Sequence, residues 1–514
     1  FKAVFQQTKQ QIAEVWLYDN ILKNLIPLSV INLVQQEFEA LKEQYNVLPI
    51  SEFNGLIHKE IKDQPAPFIY ERLGDRYRHF FIDEFQDTSL LQWQNLIPLI
   101  DNALSQQFED TSQGSLLLVG DAKQAIYRWR GGLPEQFMKL YGTENPFSIL
   151  QKNVENLDTN YRSCSEVIRF NNTFFSFIAQ YFGDSIHQNL YEIGNQQKQN
   201  TKPNGYVQLE FIEAENKEEA HQRYGQQIFE TIASLKDTGY SLEDICILTR
   251  TKSNYLMEKG VTIVSSETLL LQFSPVVQCI INALTFAVFP AYEMAKVSFL
   301  EYIHDTFEPN IPKHDFLSEL LPLEEHHFSE KLKTHGITFS LTEIGSKSLY
   351  QSSEYIIHAL GLNKNAEANL FTFLDFVLDF ESNPQAGKIN FLEHWEQKKG
   401  TASIPARTTK NAVTVMTIHK SKGLEFPVVL FPYADTDIYG EINPKAWFPI
   451  AHEQFDEVLI NYKNEVEAYG ETGQRMYEER RNTLELDNFN LLYVTLTRAV
   501  EQLYIYAENL WRCT

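Results

Sequence analysis

Two adjacent acids, Asp83 and Glu84, have the best position in this sequence for chemistry. They follow the apolar run Phe80-Phe81-Ile82, which has the composition of a buried parallel strand. In open α/β sheets, ligands bind in the crevice at the carboxyl ends of the strands. One carboxylate there can hold Mg²⁺, directly or through water, and the other can orient an attacking water. The alternative is a strand followed by the acidic first turn of a helix.

A second apolar run, residues 116–119, leads through a glycine to Asp121 and predicts another buried strand. Gln124 lies just past its end, where an amide can contact a γ-phosphate or the attacking water. Aromatic rings and guanidinium groups then alternate, a combination that stacks on single-stranded bases and binds their phosphates. The alternative is a helix with its rings packed inside and its arginines in water. The alternating residues are Tyr127, Arg128, Trp129 and Arg130.

Two further stretches place an arginine beside a predicted strand. A short strand ending at Leu157 is predicted to lead into Tyr161 and Arg162. There an aromatic ring can stack on a nucleobase, and an arginine can bind a phosphate through two hydrogen bonds. A surface pair is the alternative. Arg498 ends a predicted helix before the strand of residues 502–507 and is a candidate arginine finger.

The segment between two predicted strands near residue 420 is basic and polar. Thr417, His419 and Lys422 can hold a nucleic-acid backbone, and Gly423 permits a close approach. Glu425 can accept a hydrogen bond from a ribose hydroxyl. The alternative is a basic turn between two core strands.

Composition limits the classes of protein to consider. The 514 residues are enough for about three or four domains. The net charge of −24 argues against broad nucleic-acid coating, although it leaves a local basic track open. Four separated cysteines without a C-x-x-C pair argue against a disulfide framework or zinc site. The uncharged segment 268–292 holds a helix start at Ser274-Pro275, which leaves a helix too short to span a membrane.

The elements that must position these residues alternate between apolar strands and helices, which indicates an α/β fold. Residues 1–60 have helical spacing, and residues 290–405 are rich in helix formers. Residues 184–204 are polar and predict a loop. Residues 433–485 predict a loop followed by a helix.

Taken together and in this order, these stretches resemble the UvrD/Rep (PcrA-like) superfamily-1 DNA helicases, in particular their RecB/AddA-like branch. The resemblance implies two RecA-like P-loop NTPase motor domains with helical insertions, with ATP and Mg²⁺ between the motors and single-stranded DNA across both. It extends from about residue 80 to 508. The matching stretches are FIDEFQDTS, LLLVGDAKQAIYRWRGG, LDTNYRS, VMTIHKSKGLEFPVV and LLYVTLTRA.

The resemblance also implies a role for each candidate residue, in agreement with its chemistry. The implied nucleotide contacts are Asp83 to Mg²⁺, Glu84 as catalytic base, Gln124, Arg162 and Arg498 to the γ-phosphate, Tyr161 to adenine, and Glu425 to ribose. The implied contacts to single-stranded DNA are Trp129, Arg130 and His419.

The resemblance further implies how the chain is divided into domains. The first motor domain would comprise residues 1–75, a partial helical insertion, and 76–150, its C-terminal part. The second motor domain would comprise residues 151–289 and 406–514, with residues 290–405 as a helical insertion domain between its two halves.

One part of the family pattern, the phosphate-binding sequence G-x-x-x-x-G-K-[ST], does not occur in these 514 residues. We therefore expect the chain to begin downstream of that loop, with an incomplete first motor, and to hydrolyse ATP poorly or not at all alone. Gly387-Lys388 is followed by Ile389 and lacks the upstream glycine.

The partners that the resemblance implies are single-stranded DNA, a single-strand/double-strand junction, and a nuclease domain or partner subunits of a RecBCD/AddAB-like complex. It implies a bacterial cytoplasmic protein of DNA repair or recombination, without a membrane. One alternative is a non-catalytic DNA-binding or scaffolding subunit of a helicase–nuclease complex. Another is a RecA-like ATPase that acts on something other than DNA.

Overall fold

The chain divides into two compact units in the computed structural model. One comprises Phe1–Tyr224 with Thr417–Thr514, and the other comprises Gly225–Met416. All the candidate residues belong to the first unit. The structure describes residues 2–61, 77–105, 113–149, 151–194, 196–249, 263–265, 270–307, 309, 311–362, 368–382, 386–403, 412–435, 437–441, 443–450 and 455–509.

Helices and strands alternate along the chain, as the α/β pattern predicts. The helices are α1 Lys2–Tyr45, α2 Ile50–Ile61, α3 Leu90–Ser105, α4 Pro134–Tyr141, α5 Ser165–Ala179, α6 Ser185–Glu192, α7 Lys217–Asp237, α8 Pro275–Val288, α9 Glu293–Phe307, α10 Lys313–Leu320, α11 Glu325–Thr334, α12 Leu341–Ser346, α13 Leu349–Ala359, α14 Ala368–Glu381, α15 Lys388–Lys398, α16 Ile418–Ser421 and α17 Gly470–Leu496. The strands are β1 His79–Ile82, β2 Ser115–Leu118, β3 Tyr206–Ile212, β4 Ile245–Thr249, β5 Ile263–Ser265, β6 Val413–Thr417, β7 Phe426–Phe431, β8 Lys445–Pro449, β9 Glu457–Asn461 and β10 Ala499–Glu508.

Strands β1 and β2 pair in parallel and form a small sheet in the first unit. Its inner face packs against the fully buried Phe85 and Ile100 and the nearly buried Trp93. On its outer face Phe81 is 73% exposed and Leu117 is 50% exposed. The prediction that both strands are buried was therefore wrong for one face, because alternate residues of a strand point to opposite sides.

A second parallel sheet of the first unit has β10 between β3 and β7. Its centre is fully apolar, with Val428, Val429 and Leu430 of β7 at 0% exposure beside Leu503 of β10, also at 0%. Such continuous apolar strands are typical of parallel sheets that are covered on both faces. The strand predicted after the basic segment near residue 420 and the strand predicted at residues 502–507 are confirmed.

Two predictions of irregular structure were wrong. The polar segment 184–204 contains helix α6, whose start is capped by Asp184, since its carboxylate accepts hydrogen bonds from the N–H groups of Ile186 and His187. Residues 433–485 contain the antiparallel hairpin β8–β9 before helix α17. Helix α6 is marked by its cap rather than by apolar periodicity, whereas the hairpin strands carry the buried residues Phe448 and Ile460.

A third correction concerns the residues before Tyr161. They were predicted to form a short strand ending at Leu157, but residues 151–158 have no regular structure. Leu157 is exposed and lines a cavity instead. Two separated apolar residues, Val154 and Leu157, in an otherwise polar stretch are therefore a weak strand signal.

Helix α1 packs against the β8–β9 hairpin within the first unit. The amide of Asn20 donates to the carbonyl of Asn461 at 2.8 Å, and the N–H of Asn461 donates to the Asn20 Oδ1 at 2.7 Å. Lys445 on β8 donates to the Oδ1 of Asn24 at 2.9 Å. The helical prediction for residues 1–60 is confirmed, and these polar contacts give α1 its place.

The second unit contains a helical core built from α8 to α15. Helix α8 begins at Pro275, as predicted, and the Ser274 hydroxyl accepts a hydrogen bond from the N–H of Val277. The helical core thus starts before residue 290. Among the described residues of both units, none of the helices combines the length and apolarity that a membrane crossing requires.

Candidate active site

The turn after β1 projects Asp83 and Glu84 from the carboxyl end of the strand. Glu84 has a φ of 52°, a left-handed conformation that is uncommon for a residue other than glycine. The Asp83 Oδ1 accepts a hydrogen bond from the Glu84 N–H at 2.8 Å. The strand ends in a short 3₁₀ turn, Phe85–Asp87, rather than continuing. Both carboxylates are therefore exposed at a strand end, where the sequence predicts a ligand crevice.

The side chain of Gln86 connects this turn to the end of β2. Its Nε2 donates to the Glu84 Oε2 at 2.5 Å, and its Oε1 accepts from the N–H of Asp121 at 3.0 Å. Gln86 is almost fully buried. It therefore fixes the Glu84 carboxylate relative to the next strand end, a role that was not predicted from the sequence although Gln86 lies within the quoted motif.

Gln124 ends a 3₁₀ turn, Ala122–Gln124, that directly follows Asp121. The Asp121 carboxylate accepts from the Gln124 Nε2 at 3.1 Å and pairs with the Lys123 Nζ at 2.8 Å. Burial alone would raise the pKa of Asp121, but the charge of Lys123 and the hydrogen bonds from Lys123 and Gln124 together outweigh burial and lower that pKa. The carboxylate is thus held ionised and orients the Gln124 amide.

A cavity of about 190 Å³ brings together residues that are far apart in the sequence. Gln124, Arg162 and Arg498, the three predicted γ-phosphate contacts, all line it. Tyr161, the predicted adenine contact, also lines it and is 77% exposed. The described residues thus include a pocket with two guanidinium groups, an exposed aromatic ring and three side-chain amides, those of Gln124, Asn160 and Gln197.

Arg498 is almost completely buried beside this cavity. Its guanidinium donates to the carbonyl of Val494 at 2.8 Å, the carbonyl of Leu424 at 3.1 Å and the Thr497 hydroxyl at 3.0 Å. Burial, and then the charge of Arg162, lowers the pKa of Arg498 to about 10. The side chain is still a cation at neutral pH, and a second cation nearby makes the pocket favourable for an anion.

Arg162 pairs with Glu425 in this structure. Its Nε lies 3.0 Å from the Glu425 Oε2, and its Nη1 donates to the carbonyl of Thr497 at 3.2 Å. The predicted phosphate contact and the predicted ribose contact are therefore neighbours. An exposed ion pair of this kind is weak, so an incoming phosphate can replace Glu425 as the partner of Arg162.

Four side chains form a surface that we call the aromatic cluster: Tyr127, Trp129, Arg130 and His419. The Tyr127 hydroxyl donates to the carbonyl of His419 at 2.9 Å. The Trp129 ring is 67% exposed, and the Arg130 guanidinium lies 4.5 Å from its centroid. The His419 ring approaches the Trp129 ring edge-on, with centroids 6.3 Å apart. Exposed rings beside a guanidinium form a platform on which bases can stack.

The remaining candidates occupy different environments. Arg128 points into the protein, where it pairs with Glu135 at 2.6 Å and Asp487 at 2.8 Å. Lys422 is also inside, paired with the carboxylates of Glu84 and Asp87. Thr417 is half-buried before α16. Gly423 is explained by its backbone conformation, because its φ of 81° favours glycine. Close packing is not the reason, since an added Cβ would meet no atom within 4 Å.

The structure thus gives no support to direct DNA contacts from Arg128 and Lys422, because desolvated ion pairs occupy both cationic groups. The guanidinium donors of Arg128 are used by two carboxylates. From the sequence alone, an arginine between two aromatics cannot be distinguished from one that folds inward.

Helix α17 holds the Gln124 turn from the other side, through a residue that the sequence did not indicate. The Asn490 amide is fully buried and donates to the carbonyls of Ala122 and Ala125, each at 2.9 Å. Its Oδ1 accepts from the Tyr191 hydroxyl at 2.6 Å. Arg498 follows the C-terminal end of the same helix. One helix therefore positions both the Gln124 turn and Arg498.

Comparison with known protein families agrees with this geometry. The model of the UvrD/REP helicase N-terminal domain matches residues 3–144, and that of the UvrD-like helicase C-terminal domain matches residues 156–261 and 322–509. Both models cover candidate residues: Asp83, Glu84 and the aromatic stretch lie in the first match, and Arg498 lies in the second.

Several curated proteins are similar to the chain, and each of them is named as a subunit of an ATP-dependent helicase/nuclease. The protein of Natranaerobius thermophilus is 25% identical over 96% of this chain and 44% of its own length. That of Lactobacillus gasseri is 23% identical over 98% of this chain and 45% of its own. That of Lactobacillus helveticus is 24% identical over 99% and 46%. The chain spans less than half the length of these relatives.

Proposed function

We propose a function from the premise that this chain belongs to the UvrD-like helicase family, whose C-terminal-domain model matches more than half of its residues. The fold that this family implies is the RecA-like α/β motor. We propose that the chain binds ATP and Mg²⁺ at the cavity and by itself hydrolyses ATP poorly or not at all. Together with a phosphate-binding loop, hydrolysis would move it along single-stranded DNA and through single-strand/double-strand junctions in repair or recombination.

One observation carries the proposal. Gln124, Arg162 and Arg498 come from three distant stretches and line one cavity. An amide and two cations around one space suit a polyphosphate better than an uncharged ligand. The Gln86 side chain connects Glu84 to the strand end that precedes Gln124. The proposed general base and one of the proposed γ-phosphate contacts, Gln124, thereby belong to one hydrogen-bonded framework.

The residues suggest a division of labour. Arg162 and Arg498 neutralise charge on the γ-phosphate, and Arg162 exchanges Glu425 for phosphate oxygens. Glu425 is then free to accept a ribose hydroxyl, and Tyr161 can stack on adenine. The Glu84 carboxylate accepts a proton from the attacking water, while Gln86 and Lys422 orient it.

The residues at the end of β1 also fit a magnesium ion. Mg²⁺ takes one or two carboxylates together with phosphate oxygens and water, and Asp83 supplies one exposed carboxylate beside Glu84. A bound ion would neutralise charge that develops on the transferred phosphoryl group.

The aromatic cluster is the proposed site for single-stranded DNA. Trp129 offers a face for base stacking, and Arg130 and His419 lie beside it. The chain is acidic overall, with a net charge of −24, so we expect local, salt-sensitive contacts rather than a broad basic groove. Because the similar proteins are named as subunits, we further propose that the chain works with a partner subunit of a helicase–nuclease complex.

Binding of a labelled oligothymidine tests the DNA part of the proposal. Trp129→Ala should weaken binding by about five- to 150-fold, since stacking on an aromatic ring contributes roughly 1–3 kcal/mol per base. The matched control is Trp447→Ala, which removes another exposed tryptophan, on strand β8. Equal losses in both variants would refute the assignment of the aromatic cluster.

ATP hydrolysis tests the nucleotide part. It is measured with and without oligothymidine, on the chain alone and on the chain joined to the phosphate-loop segment of another UvrD-like helicase. We expect DNA-stimulated turnover in the joined protein, reduced by about 100-fold or more in Glu84→Gln. Turnover that survives Glu84→Gln would reject Glu84 as the base. DNA binding without turnover in the joined protein would favour a non-catalytic DNA-binding subunit.

A further inference from the structure

The ammonium group of Lys422 lies between two acids that come from the turn after β1. Its Nζ is 2.5 Å from the Asp87 Oδ2 and 3.3 Å from the Glu84 Oε2. The Lys422 side chain is only 6% exposed. A buried cation is costly unless it is paired, so the two carboxylates fix its position.

Asp87 is the firmer of the two partners. Its side chain is 21% exposed, whereas that of Glu84 is 50% exposed. The Lys422 Nζ also lies 5.4 Å from the centroid of the Tyr127 ring. Lys422 is therefore anchored by Asp87 and Tyr127, and from this anchored position it reaches the carboxylate proposed as the general base.

The same segment that carries Lys422 also carries part of the aromatic cluster. His419 lies three residues before Lys422, within helix α16, and its carbonyl accepts a hydrogen bond from the Tyr127 hydroxyl. Tyr127 thus contacts both ends of this segment: His419 through its hydroxyl and Lys422 through its ring. If a bound base displaces His419 and the segment does not deform, Lys422 must also move relative to Glu84.

We propose that Lys422 is a positioning residue that couples the aromatic cluster to Glu84, rather than a direct ligand of the DNA backbone. This inference rests on the proposed function. Bound DNA shifts the segment of residues 418–422, and Lys422 transmits that shift to the Glu84 carboxylate. By thermodynamic reciprocity, nucleotide bound at the cavity must alter the affinity for DNA through the same contact.

The test is the dissociation constant of labelled oligothymidine, of about 20 nucleotides, with and without saturating adenylyl imidodiphosphate and Mg²⁺. In the unmodified chain the ratio of the two constants should differ from one by at least about fivefold. In Lys422→Met the ratio should fall to within about twofold of one. Loss of a residue that is only structural would weaken DNA binding with and without nucleotide alike and would leave the ratio of the two dissociation constants unchanged.

Two further variants keep the test decisive. Lys420→Met removes an exposed lysine of the same segment and should leave the ratio unchanged, which controls for net charge. Asp87→Asn combined with Lys422→Met removes both charges of the buried pair, so that no unpaired carboxylate remains to unfold the protein. This double variant should have the same low ratio as Lys422→Met.

The outcomes separate the inference from the function on which it rests. If the unmodified chain binds neither oligothymidine nor nucleotide, the proposed function fails and the inference fails with it. If it binds both and Lys422→Met keeps the full ratio, only the inference is refuted. If Lys422→Met weakens DNA binding about tenfold without nucleotide at an unchanged ratio, Lys422 is a backbone ligand.

Discussion

The two parallel sheets of the first unit support the same site with very different amounts of scaffold. Strands β1 and β2, which lead to Asp83 and Glu84 and to Gln124, are four residues long and apolar on both faces, yet only one face is covered. The sheet of β3, β10 and β7, which adjoins Arg498 and Glu425, has a centre that is buried on both faces. Parallel sheets usually have the second arrangement.

The difference indicates how Asp83 and Glu84, the acids of the proposed site, are held. Sheet burial stabilises Arg498, whereas the acids depend on contacts made by side chains around the smaller sheet. Gln86 connects the two strand ends, Asn490 holds the Gln124 turn, and Lys422 pairs with Asp87. The smaller sheet should therefore be sensitive to single substitutions at these contacts and insensitive on its open face.

The largest effect is expected from Phe85→Ala. Phe85 is fully buried, with its ring centroid 4.8 Å from Trp93 and 5.6 Å from Phe137. Deleting a buried phenylalanine side chain costs roughly 3–5 kcal/mol, and amide exchange should accelerate at residues 79–82 more than at residues 428–431. Urea unfolding and hydrogen exchange measure both.

The matched control for that substitution is Phe81→Ala on the open face of β1. Because Phe81 is largely exposed, its loss should change the free energy of unfolding by no more than about 0.5 kcal/mol. A cost equal to that of Phe85→Ala would mean that the outer face is covered in solution, and the contrast between the two sheets would disappear.

A smaller effect is expected from Asn490→Ala. It leaves the carbonyls of Ala122 and Ala125 and the Tyr191 hydroxyl without the partner they have now. Unpaired buried polar groups cost about 1–3 kcal/mol each. Because the neighbouring groups can adjust, we expect the free energy of unfolding to fall by about 2–3 kcal/mol in total. The measurement is urea unfolding with amide exchange of residues 122–130.

Thr483→Ala on the same helix is the control for Asn490→Ala. The Thr483 hydroxyl makes only an exposed hydrogen bond within the helix, to the carbonyl of Glu479, so its removal should cost less than about 0.5 kcal/mol. If Asn490→Ala is equally mild, helix α17 does not hold the Gln124 turn.

The smallest effect concerns pH. Because Lys123 lowers the pKa of Asp121 below its ordinary value, the stabilisation from this ionised carboxylate is present above the unfolded-state pKa and is lost as pH falls through the folded-state pKa. The difference in unfolding free energy between the unmodified chain and Asp121→Asn should therefore shrink as the pH falls below the unfolded-state pKa of about 3.9. A difference that grows on acidification would contradict the sign of this shift.

Several of the elements that carry the candidate residues could be predicted from local sequence, because those residues lie near strand ends. The apolar runs before Asp83 and Asp121 indicated two strands, and the structure has both. The inner and outer faces of those strands could not be predicted, because the composition of Phe80-Phe81-Ile82 is apolar throughout. Whether the face that carries Phe81 is buried depends on which other parts of the folded molecule pack against it.

The functional side chains divide in the same way. The sequence by itself determined which residue types follow each strand and that Gln124, Arg162 and Arg498 are suited to a polyphosphate, since hydrogen-bonding capacity and charge belong to the residue. Only the tertiary structure decided that Trp129 is exposed while Arg128 and Lys422 point inward, because their carboxylate partners at Asp487 and Asp87 are hundreds of residues away. Burial and pairing are properties of the folded chain, and here they place the cationic groups of Arg128 and Lys422 against carboxylates.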